Sequence, residues 1–312
     1  MTDGVTSAQV RENSICVIIE ASRFGARRSV AKGEVTVSSN AETDKKIDQA
    51  MCAVGKELLD SDELRTIAGH DHYTKRWIKA RSVPSPLIRS SAFLVKAETL
   101  PLIYDYLEGR AVERQELVKK LRGVWPKLVK AAKERLGPLW KAEEYPAASA
   151  IEDEFELVWR VVEIGTPDKK LRSISKALYE KEKKKAEETW SNAVGQITQA
   201  LAQAMLEPVA HLAEKLGGGD EKPKRLRVTA LQHVTEFLDT FDGRNLTQNS
   251  DLDAIVKKAK ALLQGVDVKQ LKDDDKFRKQ FAADFKTIKS GLDKMLEDKP
   301  GRAISFSDDE PV

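Results

Sequence analysis

The stretch of residues 167–216 limits the fold more than any other part of the chain. It begins with Leu171, Ile174 and Leu178 at helical spacing, and the following segment EKEKKKAEE holds no apolar side chain except that of Ala186. The apolar stripe then resumes with Trp190, Val194, Ile197, Leu201, Met205 and Leu212. About 45 helical residues form a rod of about 65–70 Å, which is longer than a compact domain is wide. The pattern predicts a long helix whose polar middle spans solvent or docks a partner.

Two short apolar runs predict a small β element. Residues 14–21 (SICVIIEA) form the most apolar run of the chain, and residues 91–96 (SAFLVK) form a second. Runs of this length that are rich in β-branched residues are typical of buried strands. We expect the two strands to pair with each other and to lie against helices.

Helical periodicity also covers much of the remaining chain. The segment from Thr43 to Ala68 places apolar residues at helical spacing, with Thr43 as its N-cap. A helix from Leu100 is expected to end at Gly109, and a second one to begin near Ala111 and to pass Pro126 with a kink or a restart. The C-terminal third predicts three more helices, over residues 226–241, 251–265 and 277–295.

Together these elements predict an α+β fold class that is mainly α with a small β element. Residues 111–136 and 168–216 are expected to form a long helical hairpin, and the C-terminal helices a bundle. The predicted domain bounds are a flexible N-terminus over 1–13, a main domain over 14–216, a helical subdomain over 217–298 and a disordered acidic tail over 299–312.

Composition indicates a soluble protein. Of the 312 residues, 41% are apolar and 33% are charged, and no apolar run approaches the length of a bilayer span. The N-terminus has no signal-peptide core, so a cytoplasmic location is expected. Cys16 and Cys52 lie in apolar patterns and are interpreted as reduced core residues, without a disulfide or a cysteine-based zinc site.

The net charge of +3 conceals a strongly basic segment. Residues 71–135 hold 15 Lys and Arg against 7 Asp and Glu. Such an excess predicts an acidic partner, which could be nucleic acid or protein.

The octapeptide SRFGARRS (residues 22–29) follows the first predicted strand and invites a phosphate-loop interpretation. A Walker loop needs several glycines followed by Lys and then Ser or Thr, whereas this segment has only Gly25. We interpret Gly25 as the residue that lets the chain turn, and the arginines as groups that bind carboxylates of the corner or an anionic partner.

No other motif predicts catalysis or a cofactor. The segment HDHYTK (residues 70–75) contains ligand types, but His70 and His72 diverge on a helix and lie on opposite faces of a strand, so a surface turn after a helix is the favoured interpretation. No nucleophile motif occurs. The sequence therefore predicts a protein that is not an enzyme, with no catalytic residue, no cofactor and no metal.

The candidate binding residues lie in the arginine corner and in YTKRWIKARS, which mixes aromatic and basic side chains as nucleic-acid surfaces do. The alternative is that Trp77 is a core residue and the charges face water. The candidate anion or nucleic-acid contacts are Arg23, Arg27, Arg28, Lys75, Arg76, Trp77, Lys79 and Arg81.

The order of these landmarks resembles a known family. The strand running into RFGARRS, SSAFLVKAETLPLIYDYLEG, RLGPLWKAEEYP, FELVWRVVEIGTP and the C-terminal NLTQNS turn are similar to the bacterial and phage proteins grouped as domain-of-unknown-function family 3150. The resemblance covers about residues 14–265 and leaves the Phe-rich last helix unmatched. It implies a gene neighbourhood with a MoxR- or CobS-like AAA+ ATPase and a CobT-like von Willebrand A protein.

Two functions follow as expectations. The first is a non-enzymatic helical scaffold or adaptor of phage or bacterial origin, which self-associates or works with the AAA+ ATPase and its von Willebrand A protein. The alternative is a nucleic-acid-binding protein that uses the basic segment 71–135. No membrane partner is expected, and the expected location is the host cytoplasm if the gene belongs to a phage.

Overall fold

The computed structural model describes residues 5–31, 34–35, 54–88, 91–217 and 227–297. The α-helices in this part of the chain are Ser7–Glu12 (α1), Asp62–Lys79 (α2), Leu100–Leu136 (α3), Lys169–Ile174 (α4), Lys176–Leu216 (α5), Val228–Arg244 (α6), Ser250–Leu263 (α7), Val268–Asp273 (α8) and Asp275–Glu297 (α9). The strands are Ser14–Ala21 (β1), Arg27–Ser29 (β2), Gly55–Glu57 (β3), Val83–Pro84 (β4), Ala92–Lys96 (β5) and Leu157–Val162 (β6). The protein is 69% helical with a small antiparallel sheet, which confirms the predicted fold class.

Contacts between residues group the chain into two compact units. The larger unit takes residues 1–18, 76–103 and 159–312, and the smaller unit takes residues 19–75 and 104–158. The two arms of the predicted hairpin, residues 111–136 and residues 168–216, therefore fall into different units. Within the larger unit α1, α6 and α9 pack along α5, so the C-terminal helices share a core with the long helix.

The main sheet has the strand order β4-β5-β1-β6. Strands β1 and β5 pair antiparallel from Ser14 opposite Lys96 to Ile18 opposite Ala92, as the sequence predicted. Cys16 and Leu94 face each other in this pairing and are both buried. Residues 7–12, inside the segment predicted to be flexible, form a helix because Thr6 and Gln9 make a capping box and Val10 is fully buried.

Helix α5 has two unlike parts. Its stripe from Trp190 to Leu216 is buried, as predicted. The stripe packs against the C-terminal helices, which the sequence had assigned to a separate bundle. The first third, Lys176–Thr189, has no buried side chain. The predicted start of the stripe is wrong. Ser175 has an extended backbone that separates α4 from α5, and its hydroxyl caps the start of α5. Ile174 therefore remains exposed.

The smaller unit has a core of its own, built around Leu58, Leu121 and Trp125. Helix α3 runs unbroken through Gly109 and Pro126, so the predicted end at Gly109 is wrong. Buried Leu107 and Arg114 lie on both sides of Gly109, and their packing offsets the cost of a helical glycine, about 1 kcal/mol.

The helix predicted over residues 43–68 is wrong for residues 54–61 and right for residues 62–68. Residues 55–57 form β3, which pairs with β2, and α2 begins only at Asp62. Strand pairing therefore overrides the helical spacing of Val54 and Leu58. The first half of this predicted helix, with Thr43 and Cys52, lies outside the described residues, as do the acidic tail and the glycines after Gly217.

Candidate functional site

The eight predicted contact residues divide between the two units. Arg23, Arg27, Arg28 and Lys75 belong to the smaller unit, and Arg76, Trp77, Lys79 and Arg81 belong to the larger one. The contiguous basic segment of the sequence is thus not one structural unit.

The arginine corner follows β1 and is anchored by Phe24. The Phe24 ring is buried and meets Trp125 edge to face, with centroids 5.1 Å apart. Arg28 folds back onto the corner, because its Nη1 donates to the carbonyl oxygens of Gly25 at 2.7 Å and of Arg27 at 3.1 Å. One of the three arginines therefore helps to hold the corner, while Arg27 stays exposed on β2.

Gly25 has a different role from the one predicted. Its φ does not lie in the left-handed region, so the turn itself does not require glycine. A Cβ at this position would lie 2.6 Å from Arg28 Nη1. Gly25 thus makes room for the folded-back guanidinium of Arg28.

A buried ion pair lies behind the corner, between α2 and α3. Arg114 donates from Nε to Asp71 Oδ1 at 2.7 Å and from Nη2 to Asp71 Oδ2 at 3.0 Å. Arg114 Nη2 also donates to the Ser22 carbonyl oxygen at 2.7 Å, and Arg23 Nε lies 3.5 Å from Asp71 Oδ2. The bidentate geometry satisfies both charges away from water, and it fixes the corner to both helices.

His70 lies beside this ion pair with neither ring nitrogen in a hydrogen bond. Its Nδ1 is 3.5 Å from Asp71 Oδ1, and its Nε2 is 3.6 Å from Glu113 Oε2. Burial and the positive charge of Arg110 lower the pKa of His70 below its ordinary value. The ring is therefore neutral near pH 7.

The surface-turn interpretation of HDHYTK is wrong. The segment lies in the middle of α2, with His70 and Asp71 buried. Asp71 can be buried there because Arg114 of α3 pairs with it, and α3 is distant in sequence. Among the described residues, no three His, Cys, Asp or Glu side chains are grouped as a metal ion requires.

The second group of candidates lies at the C-terminal end of α2 and just after it, in the larger unit. Arg76 is exposed, and its Nη2 lies 3.4 Å from Glu236 Oε2 of α6. Arg81 stacks on Trp77, with its Cζ 4.1 Å from the ring centroid, and its Nη1 donates to the Trp77 carbonyl oxygen at 3.4 Å. Trp77 is half-buried, so its ring is largely used by the protein itself.

Arg244 is a functional candidate that the sequence reasoning missed. It ends α6, is 5% exposed, and stacks on Phe237 with its Cζ 4.1 Å from the ring centroid. Burial, and then the positive charge of Arg81, lower the pKa of Arg244 to about 10. The signal was present in the sequence, because Phe237, Phe241 and Arg244 are spaced i, i+4, i+7 and so share the buried face.

The segment of residues 169–189, which we call the basic arm, is the most exposed helical part of the larger unit. It comprises α4 and the first third of α5, and none of its side chains is buried. It carries eight Lys and Arg against four Glu. Two of its apolar residues, Ile174 and Leu178, are 73% and 43% exposed and lie four positions apart.

Other features of the described chain offer no reactive group. The Cys16 thiol is buried between strands, and burial raises its pKa. A cavity of 420 Å³ at α1 and β5 is lined by neutral amides and by Lys96 and Glu98. Along the described residues, no helix has both the length and the apolar character needed to cross a membrane.

Comparison with known proteins leaves the function to be argued from this geometry. No family model matches the chain, and neither a curated protein nor a solved structure does.

Proposed function

We propose that this protein is a non-enzymatic scaffold or adaptor that docks a partner protein on the basic arm. The observation that carries the proposal is a run of 21 helical or capping positions, residues 169–189, without one buried side chain. Helices of soluble proteins derive most of their stability from packing of an apolar face. An unpacked helical segment that keeps Ile174 and Leu178 exposed is therefore suited to packing against another chain.

Local interactions add little to the stability of the arm. Lys183 lies 3.9 Å from Glu187 and Lys184 lies 3.9 Å from Glu188, both as i, i+4 pairs. In both pairs the lysine precedes the glutamate, which is the less favourable order for the helix dipole. The α5 part of the arm is helical chiefly because it continues into the packed part of α5.

Charge indicates the kind of partner. The arm has twice as many basic as acidic side chains, so a second copy of it would be repelled. An acidic surface that also offers apolar side chains for Ile174 and Leu178 is favoured instead. The resemblance described above suggests the AAA+ ATPase and its von Willebrand A protein as the partners to test first.

Nucleic-acid binding is the second candidate function. Its support is that Arg27 and Arg76 present exposed guanidinium groups at two places in the chain. Binding through several phosphates should weaken steeply as salt is raised, which a gel-shift titration at two salt concentrations would reveal. The internal contacts of Arg28 and Arg81 make the scaffold proposal the stronger one.

The docking proposal is tested by capture of a purified AAA+ ATPase and a von Willebrand A protein of the kinds that the resemblance implies. The Ile174→Ser/Leu178→Ser variant should lose capture while its thermal unfolding stays unchanged, because both side chains are exposed. Val228→Ser is the matched control, since Val228 is also an exposed apolar residue of a helix in the larger unit. Equal capture by the arm variant and the wild type would contradict the proposal, as would no capture by the wild type.

A further inference from the structure

The basic arm has two halves that differ in charge. Among the described residues, its ion pairs lie in the later half, where three lysines each pair with a glutamate of the same helix at 3.7–3.9 Å. The first half, residues 169–178, has no acidic side chain. Its four basic side chains are all exposed, namely Lys169, Lys170, Arg172 and Lys176. The exposed Ile174 and Leu178 lie in this half as well, so it offers uncompensated positive charge around two apolar side chains.

The acidic tail, residues 299–312, has the complementary composition. Its two basic side chains, Lys299 and Arg302, come first, and residues 303–312 then have the sequence AISFSDDEPV. This last part carries three consecutive acidic side chains and no basic one, next to Ile304 and Phe306. It therefore combines the two features that the first half of the arm requires of a binding segment, negative charge and apolar side chains.

Contacts of α9 indicate which end of α5 the tail approaches. Helix α9 packs along α5, whose buried stripe begins at Trp190, next to the arm. The Oγ1 atoms of Thr198 and Thr247 lie 3.0 Å apart, so α7 starts beside a point about two turns from Trp190. A Cβ on Gly291, in the last two turns of α9, would lie 3.2 Å from Cδ1 of Ile255 in α7. The C-terminal end of α9 is therefore nearer to the arm than to the other end of α5.

The tail is long enough to reach the first half of the arm. Ile304 follows the last residue of α9, Glu297, by seven residues, which span at most about 24 Å. Leu178 lies twelve residues before Trp190 on α5, a distance of about 18 Å along the helix. A segment tethered over such a distance has an effective concentration on the order of millimolar, so even a weak contact is formed for most of the time.

We propose that residues 303–312 dock on residues 169–178 of the same chain and cover this part of the arm when no partner is bound. The three acidic side chains approach the exposed cations, and Ile304 and Phe306 pack against the two exposed apolar side chains. The inference rests on the proposed function, because it names a competitor for the same docking surface. A partner must displace the tail, which lowers its apparent affinity for the arm.

Carbodiimide cross-linking of the full chain, followed by peptide mass spectrometry, tests this contact without any partner. The reagent joins a carboxylate to a lysine amine that touches it. At low salt, the acidic side chains of the tail should be linked to lysines of the first half of the arm. These links should be lost at about 1 M sodium chloride, where the screening length falls to about 3 Å. Lys257 and Lys258 of α7 are exposed in the same unit and are the matched control, which should not be linked.

Two serine variants test the apolar part of the contact. Ile304→Ser/Phe306→Ser keeps every carboxylate, and Ile174→Ser/Leu178→Ser keeps every lysine, so both remain able to react. Both should lose the links between tail and arm, whereas Val228→Ser should retain them. A mixture of isotope-labelled and unlabelled chains shows whether a link joins one chain or two, and we expect links within one chain.

The outcomes that contradict the inference are distinct. Absence of links to the arm would overturn it, and so would links to Lys257 and Lys258 in equal yield. Retention of the links in both serine variants would overturn the apolar part of the contact. Links found only between labelled and unlabelled chains would overturn the same-chain contact in favour of one between two copies.

Partner capture separates this inference from the proposed function. Asp308→Asn/Asp309→Asn/Glu310→Gln should bind a captured partner about tenfold more tightly than the wild type if the tail covers the arm for about nine-tenths of the time. Capture with unchanged affinity would overturn the tail as a competitor and leave the docking surface intact. Cross-links without capture would support the tail contact and contradict only the docking of that partner.

Discussion

Arg114 in the smaller unit and Arg244 in the larger unit are both nearly fully buried, at 2% and 5% exposure, yet their surroundings differ in one respect. Arg114 has a carboxylate, Asp71, bound at two of its nitrogens, and Arg244 has a ring and one distant carbonyl oxygen. The charge of the first arginine is neutralised by Asp71, although its buried Nη1 has no hydrogen-bond partner, and this arginine serves to fix the corner. The second arginine has no carboxylate partner among the described residues. The role of a buried charge thus follows from its partners and not from its residue type.

The largest expected loss of stability comes from removing the carboxylate that pairs with Arg114, which would leave it without a carboxylate, as Arg244 is. Asp71→Ala removes the carboxylate and leaves the Arg114 charge buried with only the Ser22 carbonyl oxygen as acceptor. We expect the free energy of unfolding to fall by about 3–5 kcal/mol, which urea denaturation followed by tryptophan fluorescence would measure.

Asp60→Ala is the matched control for this change. Asp60 pairs with Arg65 at the surface of the same unit, where both side chains are more than half exposed. Its loss should leave the urea midpoint unchanged. If the two variants lost equal stability, the burial of the Asp71–Arg114 pair would have no energetic importance.

A change in stability of the opposite sign is expected when Arg244 is replaced. Arg244→Met replaces an unpaired buried charge by an apolar chain of similar length. Stability should stay the same or rise by up to about 2 kcal/mol in urea denaturation, because no carboxylate is left unpaired. A clear loss of stability would mean that Arg244 is already satisfied within the chain, which would remove the contrast with Arg114.

A smaller, pH-dependent effect on stability is expected at His70, which lies beside the Asp71–Arg114 ion pair. The lowered pKa of His70 means that the unfolded chain binds a proton more readily than the folded one. Stability should therefore fall as the pH is lowered from about 7.5 to about 5.5, through the ordinary histidine pKa. Asp71 and Glu113 favour the protonated ring, but burial and Arg110 outweigh them.

Urea midpoints measured across this range would test the role of His70. His70→Leu should flatten the dependence, and His72→Leu, at the exposed neighbouring position, should not. The same slope in both variants would show that another group causes it.

The smallest effect on stability is expected at Arg23, at the edge of the Asp71–Arg114 ion pair. Arg23 is 45% exposed, and its Nε lies 3.5 Å from Asp71 Oδ2, next to the much closer Arg114. Arg23→Gln should lower the unfolding free energy by less than about 1 kcal/mol. A loss as large as that of Asp71→Ala would show that Arg23 is the main partner of Asp71.

Local periodicity was sufficient to predict much of the fold. The pairing of β1 with β5 and the buried stripe from Trp190 to Leu216 follow from patterns within single segments. Where two local signals competed, the prediction failed. The chain is helical through Gly109, where the sequence predicts a helix end, and it is extended at residues 55–57, where the sequence predicts a helix. In both places packing or pairing with distant residues decided between the alternatives.

The candidate sites were less predictable than the fold. The aromatic and basic residues before Ser82 were identified, but Arg244 lies far along the chain and gave only a weak periodic signal. The role of HDHYTK does not follow from its own residues, because Arg114, the partner that permits burial of Asp71, is on another helix. Exposure of the arm agrees with its polar sequence, while exposure of Ile174 required the helix break at Ser175.

The sequence by itself determined the helical class, the buried strand that leads into the arginine corner and the polar first third of α5. These features depend on the spacing of apolar side chains, which each segment carries within itself. Only the tertiary structure decided which arginine has a carboxylate and which has none. A charge is paired or unpaired according to what other segments place within about 4 Å of it, and that distance is set by the packing of the whole unit.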